Sequence, residues 1–243
     1  MKYQSTMRQV LEVRFYKKQF SFIDQLGITT DKLTKELGLD KIAINGSRID
    51  IASDNLDRLF FFTVESMGLQ IEGTKDFETF KENIETLKKL VDKNLVDIDS
   101  VARIGTKTSV ITHAKGKSFD ATKQLLMNSL LSSLPDFNES VGIKSSDVGY
   151  IIQDGVLGDF KLHSQIGPVT FNEAINRFLG GNVDLYSDFG KDGLYLDLDI
   201  FDDKVSREAN INELFNQITK QVEAAEAFHQ KLLKYVFESQ RNG

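Results

Sequence analysis

The chain has 243 residues, 40% of them hydrophobic and 18 of them phenylalanine, enough apolar material for a sizeable core, so a disordered or fibrous protein is excluded. Its 30 basic and 36 acidic residues give a net charge of −6, which speaks against direct contact with nucleic acid or an anionic lipid surface. The absence of cysteine rules out disulfides, a thiol nucleophile, iron–sulfur clusters and thiolate zinc sites.

The N-terminal stretch Met1-Lys-Tyr-Gln-Ser-Thr-Met-Arg8 carries charge with no long apolar run behind it. No window approaches the roughly eighteen apolar residues of a membrane span. A cytoplasmic protein with no membrane association is therefore expected. Residues 8–16 alternate well enough for a first strand, with Leu11, Val13 and Phe15 inward and Glu12 and Arg14 outward. Phe20, Phe22, Ile23 and Leu26 form an apolar patch, and residues 30–38 suit a short helix stopped by Gly38. Asn45-Gly46 predicts a type I′ hairpin turn joining residues 41–44 to 47–52, because both central positions of that turn need positive φ.

Residues 59–64 are a near-continuous apolar run, which predicts a strand buried on both faces and centrally placed, with residues 67–72 extending the pairing. After Thr74, read as an N-cap, Phe77, Phe80, Ile84, Leu87 and Val91 trace a helical stripe to about Asn94. Residues 101–112 read as a strand with Ile104, Thr106, Thr108 and Val110 on one face and Arg103, Lys107 and Ser109 on the other. A helix is predicted over 119–134, ended by Pro135. A hairpin of residues 148–153 and 156–166 is predicted to turn at Asp154-Gly155.

Thr170-Phe-Asn-Glu173 has the spacing of a capping box and opens a short helix that Gly180-Gly181 would end. Residues 183–186 and 194–201 are expected to supply the last strands. In the second of these, Leu194, Leu196, Leu198 and Ile200 alternate with Tyr195, Asp197, Asp199 and Phe201. The final helix runs from Ile211 to about Gln240, capped by Asn210 with Glu213, and carries a seam of Phe215, Ile218, Val222, Ala225, His229, Leu232 and Val236. About thirty residues at 1.5 Å each make a rod of roughly 45 Å, longer than a small domain. The seam is therefore expected to reach beyond its own core and pack on a protein partner or on a second copy.

Strand runs separated by a few helices, with hairpins and no period of 20 to 50 residues, predict an α+β fold: a mainly antiparallel sheet flanked by helices, with a long C-terminal helix. A soft boundary at residues 135–141 would divide it into an N-terminal half, 1–135, and a C-terminal half, 141–243, unless both form one domain. Four short motifs are informative together. Leu11-Glu-Val-Arg-Phe15, Arg103-Ile-Gly105, Leu196-Asp-Leu-Asp-Ile-Phe201 and the helix around His229 make the chain similar to a sporadically distributed family of uncharacterised bacterial proteins. Lys107-Thr-Ser109 departs from the aromatic and Asn residues usual there. The patchy distribution of that family implies cargo of mobile loci such as defence systems, and it brings no catalytic residues with it.

Chemistry-bearing groupings are few. Asp197 and Asp199 share a strand face with Asp202 and Asp203 close behind, and two carboxylates plus water suit Mg²⁺ or Mn²⁺. The same aspartates also fit a solvated face pairing with Arg103 or Lys107. His113, His163 and His229 lack metal-site spacing; Asp159 is placed to orient His163, and His229 sits in the helix seam as a packed or hydrogen-bonded interface residue. Ala114-Lys-Gly-Lys-Ser118 fails as a phosphate loop because Ile111 stands where the first glycine belongs. Arg14, Lys17 and Lys18, interleaved with aromatics, read as a lysine-guarded edge or as a single-strand nucleic-acid contact. The sequence thus points to a non-enzymatic protein-binding or assembly component without a cofactor, an accessory subunit of a defence or mobile-element system. Its alternative is a metal-dependent phosphoester hydrolase on Asp197, Asp199 and Asp202.

Overall fold

The structure, a computed structural model, describes residues 3–96, 98, 100–141, 147–179, 183–186, 189–205 and 210–238. Among the described residues nine strands and seven α-helices follow one another as β1 (Tyr3–Phe15), α1 (Ser21–Asp24), α2 (Leu26–Leu37), β2 (Lys41–Asn45), β3 (Arg48–Ala52), β4 (Arg58–Thr63), β5 (Ser66–Thr74), α3 (Glu78–Asp92), β6 (Val101–Ala114), α4 (Phe119–Leu130), α5 (Leu134–Val141), β7 (Tyr150–Leu157), β8 (Phe160–Val169), α6 (Phe171–Arg177), β9 (Gly193–Asp202) and α7 (Ile211–Phe237). The strands form one mainly antiparallel sheet in the order β2-β3-β4-β5-β1-β6-β9-β8-β7. The expected α+β class, with a flanked antiparallel sheet and a long last helix, is what the chain adopts.

Two compact units interleave in sequence. One takes Gln9–Lys107 and Ile200–Glu223; the other takes Met1–Arg8, Thr108–Asp199 and Ala224–Gly243. Residues 135–141, read from the sequence as a soft boundary, lie in the helix α5.

In the first unit, the registers Ile49↔Phe62↔Met67 and Ile51↔Phe60↔Leu69 line up six buried side chains across three strands. Phe80, Ile84, Leu87 and Val91 of α3, all buried, bring the predicted stripe to this unit's core. Six full burials of this kind contribute roughly 10–15 kcal/mol of gross hydrophobic stabilisation before entropy is counted. On the opposite face Phe61 lies over Gly68, where an added Cβ would stand 2.5 Å from the ring and 2.0 Å from the Leu11 carbonyl oxygen, so only glycine fits. The Arg48 guanidinium sits 4.9 Å from the Phe61 ring centre and donates to Asp50 Oδ1 at 2.8 Å.

In the second unit, Ile111, Val169, Ala174, Ile175, Leu179, Tyr186 and Phe189 form a buried cluster beneath α6. Phe178 stacks on Tyr195 at 4.3 Å, and burial raises the Tyr195 phenol. α4, whose Thr122, Leu126 and Met127 are buried, packs on β8.

Several local expectations shift. β1 begins at Tyr3 rather than near Arg8. The β2–β3 turn is Gly46-Ser47, one residue later than expected, since Asn45 pairs with Arg48. Gly46 has φ +61 while Ser47 is not left-handed, which follows the II′ pattern instead of I′. β4 is interior but third from the edge, not central. Phe77, not Thr74, is the N-cap of α3, and Asp76 Oδ1 accepts from the Glu78 amide. The helix after Phe119 stops at Leu130; Pro135 instead lies in the first turn of α5, where a missing N–H costs nothing.

The β7–β8 turn is at Gly158-Asp159, and Asp154-Gly155 is a bulge, with Asp154 at φ +53 and one extra residue against β8. Val183–Tyr186 is a 3₁₀ turn, not a strand. Thr170 caps α6 as predicted, accepting from the Glu173 amide. The expected stops at Gly180-Gly181 and at Gln240 lie outside the described residues. Asn210 and Glu213 form the full reciprocal box: the Glu213 amide donates to Asn210 Oδ1 at 3.0 Å and the Asn210 amide to Glu213 Oε2 at 3.1 Å.

Candidate functional site

All seven seam residues of α7, namely Phe215, Ile218, Val222, Ala225, His229, Leu232 and Val236, are buried within the single chain at 7% exposure or less. They are core, and the premise that the helix has more apolar surface than its own chain can cover does not hold. The face α7 leaves exposed carries Asn212, Asn216, Lys220, Glu223, Gln230, Lys231 and Lys234, with Tyr235 half exposed. His229 Nε2 lies 3.0 Å from Thr112 Oγ1, which in turn lies 2.9 Å from Ser5 Oγ, so one hydroxyl–hydroxyl–imidazole chain crosses from β1 to α7. Burial pushes the His229 imidazole down to about 4, leaving it neutral near pH 7.

The late-strand aspartates separate. Ser109 donates to Asp197 Oδ1 at 2.6 Å, and Asp202 Oδ1 accepts from the Lys204 amide to shape the turn after β9. Among the described residues no group of three or more His, Cys, Asp or Glu side chains is gathered closely enough to hold a metal ion. His163 Nε2 meets Asp154 Oδ1 at 3.2 Å, with the His163 side chain half exposed and that of Asp154 almost wholly so. His113 Nδ1 lies 2.9 Å from the Asp192 carbonyl oxygen. Of the basic group, Arg14 pairs with Glu12 at 2.8 Å and Lys18 with Glu65, whose carboxyl that ammonium holds below the usual range. Gly116, at φ +79, turns β6 toward α4.

The surface that periodicity did not reveal is β2. It is a terminal strand of the sheet, and all five of its residues are exposed. Its register with β3, Lys41↔Ala52 through Asn45↔Arg48, is unbroken. Ile42 and Ile44 share the face of Ile51 and Ile49, yet remain 45% and 47% exposed while those partners are fully buried. On the other face, Lys41, Ala43, Asp50, Ala52 and Leu59 line a shallow cleft of about 510 Å³, to which Asp40, Ile42 and Leu56 also contribute.

Hydrogen-bonding parity follows from the two-residue turn. Its closing pair, Asn45 and Arg48, is hydrogen-bonded, so Ala43 and Lys41 also spend their amides on β3, and the N–H and C=O of Ile42 and Ile44 point outward. Sheets blunt such edges with bulges, prolines or clustered charge. The opposite edge, β7, has the Asp154-Gly155 bulge; β2 has no bulge, no proline and one lysine. The signal available in sequence was the short Lys-Ile-Ala-Ile-Asn run beside a glycine turn, but nothing in it says that the strand is outermost.

No family model matches the chain, and no curated protein matches it. Among solved structures the chain is similar to Methanococcus jannaschii TBP, at 8% identity and a TM-score of 0.31, over 92% of this chain and 99% of that one. No helix among the described residues is long and apolar enough to cross a membrane.

Proposed function

We propose that this protein is a non-enzymatic protein-binding component that engages an extended segment of its partner along β2, and that it serves as an accessory part of a bacterial defence or mobile-element system. The second half of that reading rests on the four-motif resemblance. The first half rests on one observation: an unguarded edge whose two isoleucines stay half exposed over a buried core. A strand laid against β2 satisfies the outward amides and carbonyls of Ile42 and Ile44. Its alternate side chains cover those isoleucines on one face and enter the cleft on the other. This surface replaces the α7 seam as the place of docking, because the seam is already covered.

The reading is tested with an array of six-residue peptides of alternating β-branched and polar residues, scored by amide chemical shifts of the labelled protein. Binding is expected to move the Ile42 and Ile44 amides first and to be lost in Ile44→Lys. Shifts that map elsewhere, or no binding by any alternating peptide under dilution at which the protein is a single chain, would remove the proposal.

A further inference from the structure

We infer that the segment which occupies β2 is the β2 strand of a second copy, paired antiparallel about a twofold axis through Ala43. This deepens the edge-docking reading and depends on it. The strand reads Lys41-Ile42-Ala43-Ile44-Asn45, a pattern of polar, isoleucine, alanine, isoleucine, polar that is the same in either direction. Antiparallel pairing centred on Ala43 sets Ile42 against Ile44 of the partner subunit, and Ile44 against Ile42 of the partner subunit.

Three features of the chain fit that register. First, Ile42 and Ile44 are the residues whose main-chain groups point outward, so both cross-copy isoleucine pairs are of the hydrogen-bonded kind and form four N–H···O bonds. A shift by one residue would oppose inward-pointing groups and bring side chains of opposite faces together. Second, all four half-exposed isoleucines fall on one face, continuing the buried row of Ile49 and Ile51. Third, the lysines are kept apart: Lys41 stands opposite Asn45 of the partner subunit, so no like charges meet across the pair. Ala43, small and at the centre, faces its own counterpart on the cleft side, where a larger residue would crowd the axis.

The chain has no cysteine, so any introduced thiol is the sole one. At a directly opposed, non-hydrogen-bonded pair the Cα atoms approach to about 4.5 Å, within disulfide reach. Full-length Ala43→Cys under mild oxidation is expected to run as a covalent dimer, while Asn45→Cys, about 13 Å from its counterpart in this register, is not. Light scattering of the wild type is expected to give twice the mass of one chain, and Ile44→Lys or Ile42→Lys to give a single chain with an unchanged circular dichroism spectrum. A monomeric wild type without the Ala43→Cys link overturns this inference. If the peptide array still shifts the Ile42 and Ile44 amides, edge docking survives with a different occupant; if it does not, both fall. A dimer that Ile44→Lys leaves intact, or that crosslinks through Asn45→Cys instead, also overturns the register.

Discussion

Acid is expected to destabilise this protein through a single imidazole. His229 is 3% exposed, and burial holds it at about 4 when folded, against 6.5 for an unperturbed histidine. Above about pH 7.5 both folded and unfolded chains carry it neutral, and it adds no pH dependence to stability. Below 6.5 the unfolded chain takes a proton that the folded chain refuses until about 4, so stability falls as pH falls through that window. The full difference, about 2.5 pH units at 1.36 kcal/mol each, amounts to roughly 3 kcal/mol. Between about pH 7.5 and about pH 5 the accessible part is roughly 2 kcal/mol.

Carboxylates also titrate on the way down, so the wild type must be read against His229→Gln, whose amide reaches the place of Nε2 and can keep a hydrogen bond to Thr112 but cannot ionise. Urea unfolding at the two pH values is expected to show the wild type losing about 2 kcal/mol more than the variant, although the variant starts from lower stability. Equal losses in the two proteins would refute the argument. So would an imidazole resonance of His229 that titrates with a midpoint above about 6.

Two further outcomes follow from the burial of α7 and its cap. Val222→Asp places an ionisable carboxyl at a site 1% exposed and is expected to cost about 3–5 kcal/mol, seen as a fall in melting temperature; dissociation of an otherwise stable dimer by this change would restore the seam as an interface. Asn210→Ala removes the acceptor for the Glu213 amide and is expected to cost about 1 kcal/mol in urea unfolding, with Asn210→Asp recovering most of it.

Residues with strong periodicity announced their elements. The stripes of α3 and α7 and the alternation of β9 each specify a buried face by themselves, and the Asn210–Glu213 and Thr170–Glu173 spacings specify caps that need no tertiary context. Turns were less legible because glycine marks flexibility, not position. Asp154-Gly155 has the composition of a hairpin turn, but Gly158 made the turn and left the earlier pair as a bulge. Pro135 was equally double-edged, since its ring ends one helix or begins the next.

That the α7 seam is core and not an open surface has one physical root. Amphipathic periodicity shows that a face must be covered, but it does not show what covers it, and α7 had a nine-stranded sheet of its own chain available. Apolar side chains once buried have no further free energy to give a partner. Main-chain groups at a sheet edge differ, because each outward N–H and C=O remains bonded only to water until another strand arrives. β7 spoils that opportunity with its bulge, whereas β2 preserves it with a straight register and two isoleucines already half removed from water. A partner adding to β2 therefore completes a core that is partly built, while a partner approaching the exposed face of α7 meets lysines, glutamates and amides that water already serves well.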